Sequence, residues 1–133
     1  MDLISRLDHQ RGLSLTAREC LRALEGEFAV QGFDMTIRKR GHFGDVLRWS
    51  RDGKPWFDAL PAQHWVLFYL HKVASRAHGL DYSTICGQLP HAVERRDLVV
   101  KVRLHDRGQA LVMAALSNDA VAGSRRRAPV RYS

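Results

Sequence analysis

Cysteine, proline and long apolar runs are all scarce in this chain. Its 133 residues include 2 Cys and 4 Pro. Cys20 and Cys86 stand far apart, without a C-x-x-C or Cys/His spacing, so neither a disulfide framework nor a structural zinc site is expected. Two reduced, buried thiols are the expectation instead. The longest apolar run, Ala110 to Leu116, is seven residues, against the roughly 20 that a membrane-crossing helix requires. No membrane insertion is expected. Met1 to Arg6 lacks a cationic-then-apolar leader, which gives a cytoplasmic protein as the expectation.

Catalytic vocabulary is equally thin. There is no Gly-rich phosphate loop, no nucleophile elbow and no patterned carboxylate pair. Cys86 lies near His91 in sequence and His42 near Asp45, but nothing orients either pair. His64, His71 and His78 recur at seven-residue steps, a rise of about 10.5 Å on a helix, too far for two rings to share a metal. The chain therefore reads as non-enzymatic, with no cofactor and no metal.

What the chain does have is a core's worth of apolar residues and an excess of arginine. Hydrophobic residues make up 45% and charged residues 26%, the balance of a folding globular chain. Residues 1–122 read as one α+β domain and 123–133 as a flexible basic tail. Lys and Arg number 21 against 14 Asp and Glu, a net charge of +7. Arg125, Arg126, Arg127 and Arg131 follow the last acid, Asp119, which leaves +3 on residues 1–124. Such a balance suits acidic partners, nucleic acid first among them. Arginine brings forked contacts to phosphate and carboxylate, although a GC-rich genome raises its usage for unrelated reasons.

Periodicity orders the elements. Asp2 to Arg11 predicts a short helix stopped by Gly12. Thr16 and Glu19 form a capping box for a helix over 16–31, with Leu21, Leu24 and Phe28 at helical spacing and Gly32 as terminator. From Phe33 the period becomes two: Phe33, Met35 and Ile37 share one side, Arg38 and Arg40 the other. Val46 to Ser50 returns, and Arg51-Asp52-Gly53-Lys54 supplies a tight turn into a short third strand ending at Phe57. Pro61 opens a predicted helix over 61–78. A helical turn near Ser83–Gly87 comes before an alternating strand from Leu98 to Leu104. Asp106-Arg107-Gly108 then reads as a turn into a returning strand over 109–116. The fold class is α+β: an antiparallel sheet, meander 33–57 plus hairpin 98–116, packed on one face by helices 16–31 and 61–78.

Leu15-Thr16-x-Arg18-Glu19 with Leu24 and Gly26 resembles the opening of a LuxR-type helix-turn-helix, but strand follows where that family has its recognition helix. The predicted α–β–β–β–α order over 16–78 is similar to a double-stranded-RNA-binding domain. That family places a Lys pair at the start of its last helix, where this chain has Pro61-Ala62-Gln63-His64.

Two surfaces stand out. Residues 36–54 carry a local +4, and alternation sends Arg38, Arg40 and Arg48 to the sheet face away from Met35 and Ile37. Lys101 and Arg103 extend that row if their strand joins the same sheet. Phe43 at a loop tip could stack on a base. These six residues define the expected nucleic-acid surface, and weak, salt-sensitive binding of nucleic acid or an acidic protein is the leading function. The alternative is a protein-interaction or homodimer surface on the predicted helix 61–78, formed by Trp65, Phe68, Tyr69, Lys72 and Arg76.

Overall fold

The computed structural model describes residues 1–39, 44–90, 93–96 and 99–127. Two helices come first, α1 (Leu3–Arg11) and α2 (Leu15–Val30). Four strands follow: β1 (Asp34–Lys39), β2 (Asp45–Arg51), β3 (Lys54–Pro61) and β4 (Val66–Leu70). Then come α3 (Lys72–Ser75), α4 (Tyr82–Gln88), β5 (Val93–Arg96), β6 (Val99–Leu104) and α5 (Arg107–Arg127). The strands form one antiparallel sheet in the order β1-β2-β3-β4-β6-β5. The architecture is α+β, with helices packed against one face of the sheet.

Local chemistry accounts for most boundaries. Asp2 caps α1 by accepting from Ser5 N, and Gly12 ends it at φ 65°. The cap of α2 is Ser14, whose hydroxyl accepts from Ala17 N, so the helix starts two residues earlier than a Thr16–Glu19 box would place it. The β2–β3 turn holds Asp52 and Gly53 at φ 53° and 76°, the left-handed pair that a two-residue hairpin needs. A register shift between Trp49 and Ser50 leaves Trp56 as an extra residue on β3. This bulge lets consecutive Trp56 and Phe57 both be buried.

Two elements depart from the sequence reading. The predicted helix 61–78 is instead the end of β3, a hairpin, strand β4 and the single turn α3. Ala62 N donates to Trp65 O at 2.9 Å to close the hairpin. The double-stranded-RNA-binding order disappears with that helix, as does any His64–His71–His78 row on one helix face. The predicted strand 109–116 is part of α5, so the second hairpin is β5–β6 rather than 98–116. Asp106 Oδ1 accepts from Gln109 N, and Gln109 Oε1 accepts from His105 N, both at 2.8 Å. These two bonds, a capping-box variant in which the returning side chain accepts from the residue before the cap, fix the start of α5. The helix continues through Arg127, into the segment expected to be a loose tail.

The core lies between the sheet and the pair α2–α5. Ala110, Met113, Ala114, Ser117, Ala120 and Val121 give α5 one buried face. Opposite them α2 buries Ala17, Cys20, Leu21, Leu24 and Phe28. Phe28 is the hub: the rings of Phe33, Trp49, Phe57 and Phe68 surround it at centroid distances of 5.0 to 6.1 Å. Each such pair adds about 0.5–1.5 kcal/mol beyond area burial.

Candidate functional site

Strand alternation sorts the sheet's side chains into two sets. Leu47, Trp49, Phe57, Ala59, Val66, Phe68, Leu70, Val100, Val102 and Leu104 face the helices and join the core. The intervening residues face outward: Thr36 and Arg38 on β1, Val46 and Arg48 on β2, Asp58 and Leu60 on β3, Leu67 and Tyr69 on β4, Lys101 and Arg103 on β6. Trp65, one residue before β4, continues the outward row. Leu60, Trp65, Leu67, Tyr69, Lys101 and Arg103 are half-buried, whereas Val46 and Asp58 on the same face are buried.

Strand register brings the two expected surfaces together. Leu67 pairs with Arg103 and Tyr69 with Lys101. The Arg103 guanidinium lies over the Trp65 ring, 4.9 Å from its centroid, and Lys101 Nζ over the Tyr69 ring at 5.7 Å. His105 sits on the other flank of Trp65, at 5.8 Å between centroids. Such cation–π contacts restrict the rotamers of both partners before any ligand arrives. The aromatic and basic residues assigned to two separate surfaces are thus interleaved on one.

Not every expected residue belongs there. Phe68 is 0% exposed and points into the core, so it cannot touch a partner. The reason is the strand itself: its neighbours Leu67 and Tyr69 take the opposite face. Lys72 and Arg76 lie on and just after α3, exposed, beyond the end of β4. Arg38 is exposed on β1. Arg40 and Phe43 lie outside the described residues, as do His42 and His91.

Arg48 is committed elsewhere. Its Nε and one terminal nitrogen donate to the two oxygens of Asp58 at 2.9 and 3.1 Å, a bidentate pair. His71 Nε2 lies 3.0 Å from Asp58 Oδ2, and the rings of His71 and Tyr69 meet edge to face at 5.2 Å. Asp58 is 1% exposed. Burial pushes its carboxyl upward, but the contacts with His71 and Arg48 outweigh that and hold it below the ordinary carboxylate value. Arg48 is therefore a charge-compensated strut of the sheet rather than a grip for phosphate. The sequence reading missed Asp58 because it ended β3 at Phe57.

Cys20 is buried, and desolvation, with Asp106 and Glu19 nearby, raises its thiol to about 11, leaving it protonated at neutral pH. Cys86 is exposed, against the expectation of two buried thiols. No helix among the described residues is long and apolar enough to cross a membrane.

Cavities open at several places on the described surface. One of about 440 Å³ lies between the α1–α2 junction and the β3–β4 hairpin, where Arg11 donates to the carbonyls of Asp45 and Pro61. Another, about 520 Å³, separates α1 from the edge strand β1. A third, about 340 Å³, is lined by Lys54, Pro55, Tyr69, His71, Lys72 and Val73, and it adjoins the outward face through Tyr69. No protein-family model, curated protein or solved structure matches this chain.

Proposed function

We propose that this chain binds single-stranded nucleic acid across the outward face of its sheet. The observation that carries the reading is the interleaving of Trp65 and Tyr69 with Arg103 and Lys101 on adjacent strands, in a chain of net charge +7. Aromatic rings and guanidinium planes on an open sheet are stacking surfaces for unpaired bases, and flanking cations meet the phosphates between them. Trp65 and Tyr69 stand four residues apart on one strand, about 13 Å, leaving room for consecutive bases. Arg38, on the far side of the sheet, extends the phosphate path. Duplex suits this face poorly, because paired bases present no free π-surface.

Trp65 also provides the test. Trp49 and Trp56 are buried in the core while Trp65 is half-exposed, so stacking on Trp65 quenches one tryptophan of three. Titration with a 20-nucleotide single strand at about 50 mM salt should quench part of the emission and raise the anisotropy of a labelled strand. Trp65→Ala should weaken binding about tenfold or more, the loss of one stacking platform at roughly 1–3 kcal/mol. No binding at that salt, or equal affinity of Trp65→Ala, refutes the proposal.

One observation favours a second reading. Leu60 and Leu67 pair as an apolar patch on the same outward face, both half-buried, and such a patch beside Trp, Tyr and Arg suits self-association. That reading expects a molecular mass that rises with concentration in light scattering and falls back for Trp65→Arg.

A further inference from the structure

The cavity at the end of β4 combines features that a strand's path across the sheet does not require. Its walls are apolar or aromatic: Pro55, Val73 and the ring of Tyr69. Two lysines, Lys54 and Lys72, stand at it from different elements, the start of β3 and the start of α3. Neither lysine has a carboxylate partner among the described residues. The nearest buried acid, Asp58, is already engaged by Arg48 and His71. His71 is fixed in place by that contact and by its own backbone, whose N–H donates to Trp56 O at 2.9 Å. At about 340 Å³ the cavity falls within the usual size of small-ligand pockets, roughly 300–1,000 Å³. An apolar slot with two uncompensated cations beside it complements a flat ring attached to an anion.

We infer that this cavity holds a nucleoside monophosphate unit, with the base against Pro55, Tyr69 and Val73 and the phosphate between Lys54 and Lys72. The inference rests on the sheet-face reading, since Tyr69 belongs to both surfaces. It adds that the bound strand is held by a phosphorylated end. A terminal phosphate carries more negative charge than an internal one, so two lysines discriminate for it. The same chemistry would admit a free nucleotide, and the two sources are separable by experiment.

The experiment compares four ligands at about 50 mM salt: one thymidine decamer with a 5′-phosphate, one with a 3′-phosphate, one with neither, and thymidine 5′-monophosphate. Each decamer carries its dye at the end away from the group tested. The expected result is about tenfold tighter binding of one phosphorylated decamer over the unmodified one, with that preference abolished by Lys54→Ala/Lys72→Ala. Both lysines are exposed, so a thermal melt of the double variant should match the parent. Trp65→Ala should weaken all decamers alike and keep the preference. Equal binding of all three decamers overturns the terminal site and leaves the sheet-face reading standing. Decamers that fail to bind, with thymidine monophosphate still shifting the His71 and Tyr69 resonances, overturn the sheet-face reading and leave a free-nucleotide pocket. Silence from all four ligands overturns both.

Discussion

Asp58 is the side chain on which the outward face is anchored. A carboxylate 1% exposed is costly unless its charge is met, and here a bidentate guanidinium and an imidazole meet it. Its lowered pKa fixes the sign of a pH effect. A carboxyl held lower in the folded chain than in the unfolded one contributes stability that is present above the unfolded value, 3.8. That contribution is lost as pH falls through the folded value. Urea midpoints should therefore decline below about pH 4, and Asp58→Asn should flatten that acid limb. At pH 7, Asp58→Ala should cost about 2 kcal/mol. This is less than a fully buried pair would lose, because Arg48, 26% exposed, can turn its freed charge toward water. A change under about 0.5 kcal/mol would mean that the pair only breaks even against its desolvation. None of this was legible at Arg48 itself. Alternation placed the side chain on the outward face correctly, but pattern says nothing of what stands across the strand. The partner ten residues on was hidden by a strand end set at Phe57, three residues short of Leu60 and the outward pairing that follows.

Elements were read where one period dominated and misread where two competed. Met35 to Lys39 and Val46 to Ser50 alternate cleanly, and α2 repeats at helical spacing; these strands and this helix formed as expected. Trp65 to Leu70 is apolar at every position, which carries no period at all. Pro61 and Gly79 then framed it as a helix, although Trp, Val, Phe and Tyr prefer the pleated surface of a strand. The outward half of that run is half-buried by neighbours on the sheet, so apolar residues are tolerated on both faces. A pair of truncations separates the faces. Phe68→Ala removes a ring that contacts Phe28 and Phe57 and should cost about 3–5 kcal/mol. Trp65→Ala should cost under about 1.5 kcal/mol, since its ring is half in water. Similar losses at both positions would contradict the alternation. In α5 the misreading was of turn chemistry: Asp106-Arg107-Gly108 suits a hairpin, yet Gln109 three residues after Asp106 completes a variant capping box. Asp106→Ala should destabilise the chain by about 1 kcal/mol in chemical denaturation, whereas a hairpin turn residue there would leave α5 indifferent to the change.

At the scale of the whole molecule, the described helices pack on one side of the sheet and the other side carries half-buried aromatic and basic side chains, so the chain presents two unlike surfaces. Net charge alone does not tell them apart: +7 can steer any polyanion toward the protein without giving it a place to bind. A defined path does more, because each phosphate neutralised releases counterions and adds to the salt dependence. For single strands the slope of log affinity against log salt is about −0.7 per phosphate contact. Contacts from Arg38, Lys101 and Arg103 give a slope near −2, and the one phosphate held by Lys54 and Lys72 deepens it to about −2.8 when a phosphorylated end is bound. Arg103→Ala should make the slope shallower by about 0.7, whereas Arg107→Ala, exposed at the start of α5, should leave it unchanged. Anisotropy titrations between about 50 and 200 mM salt resolve a difference of that size. Equal flattening by both variants would mean that the charge acts diffusely over the molecule, with no path on the sheet. A slope near zero with binding retained would assign the affinity to stacking and apolar contact alone, and would remove the arginines and lysines from the interface.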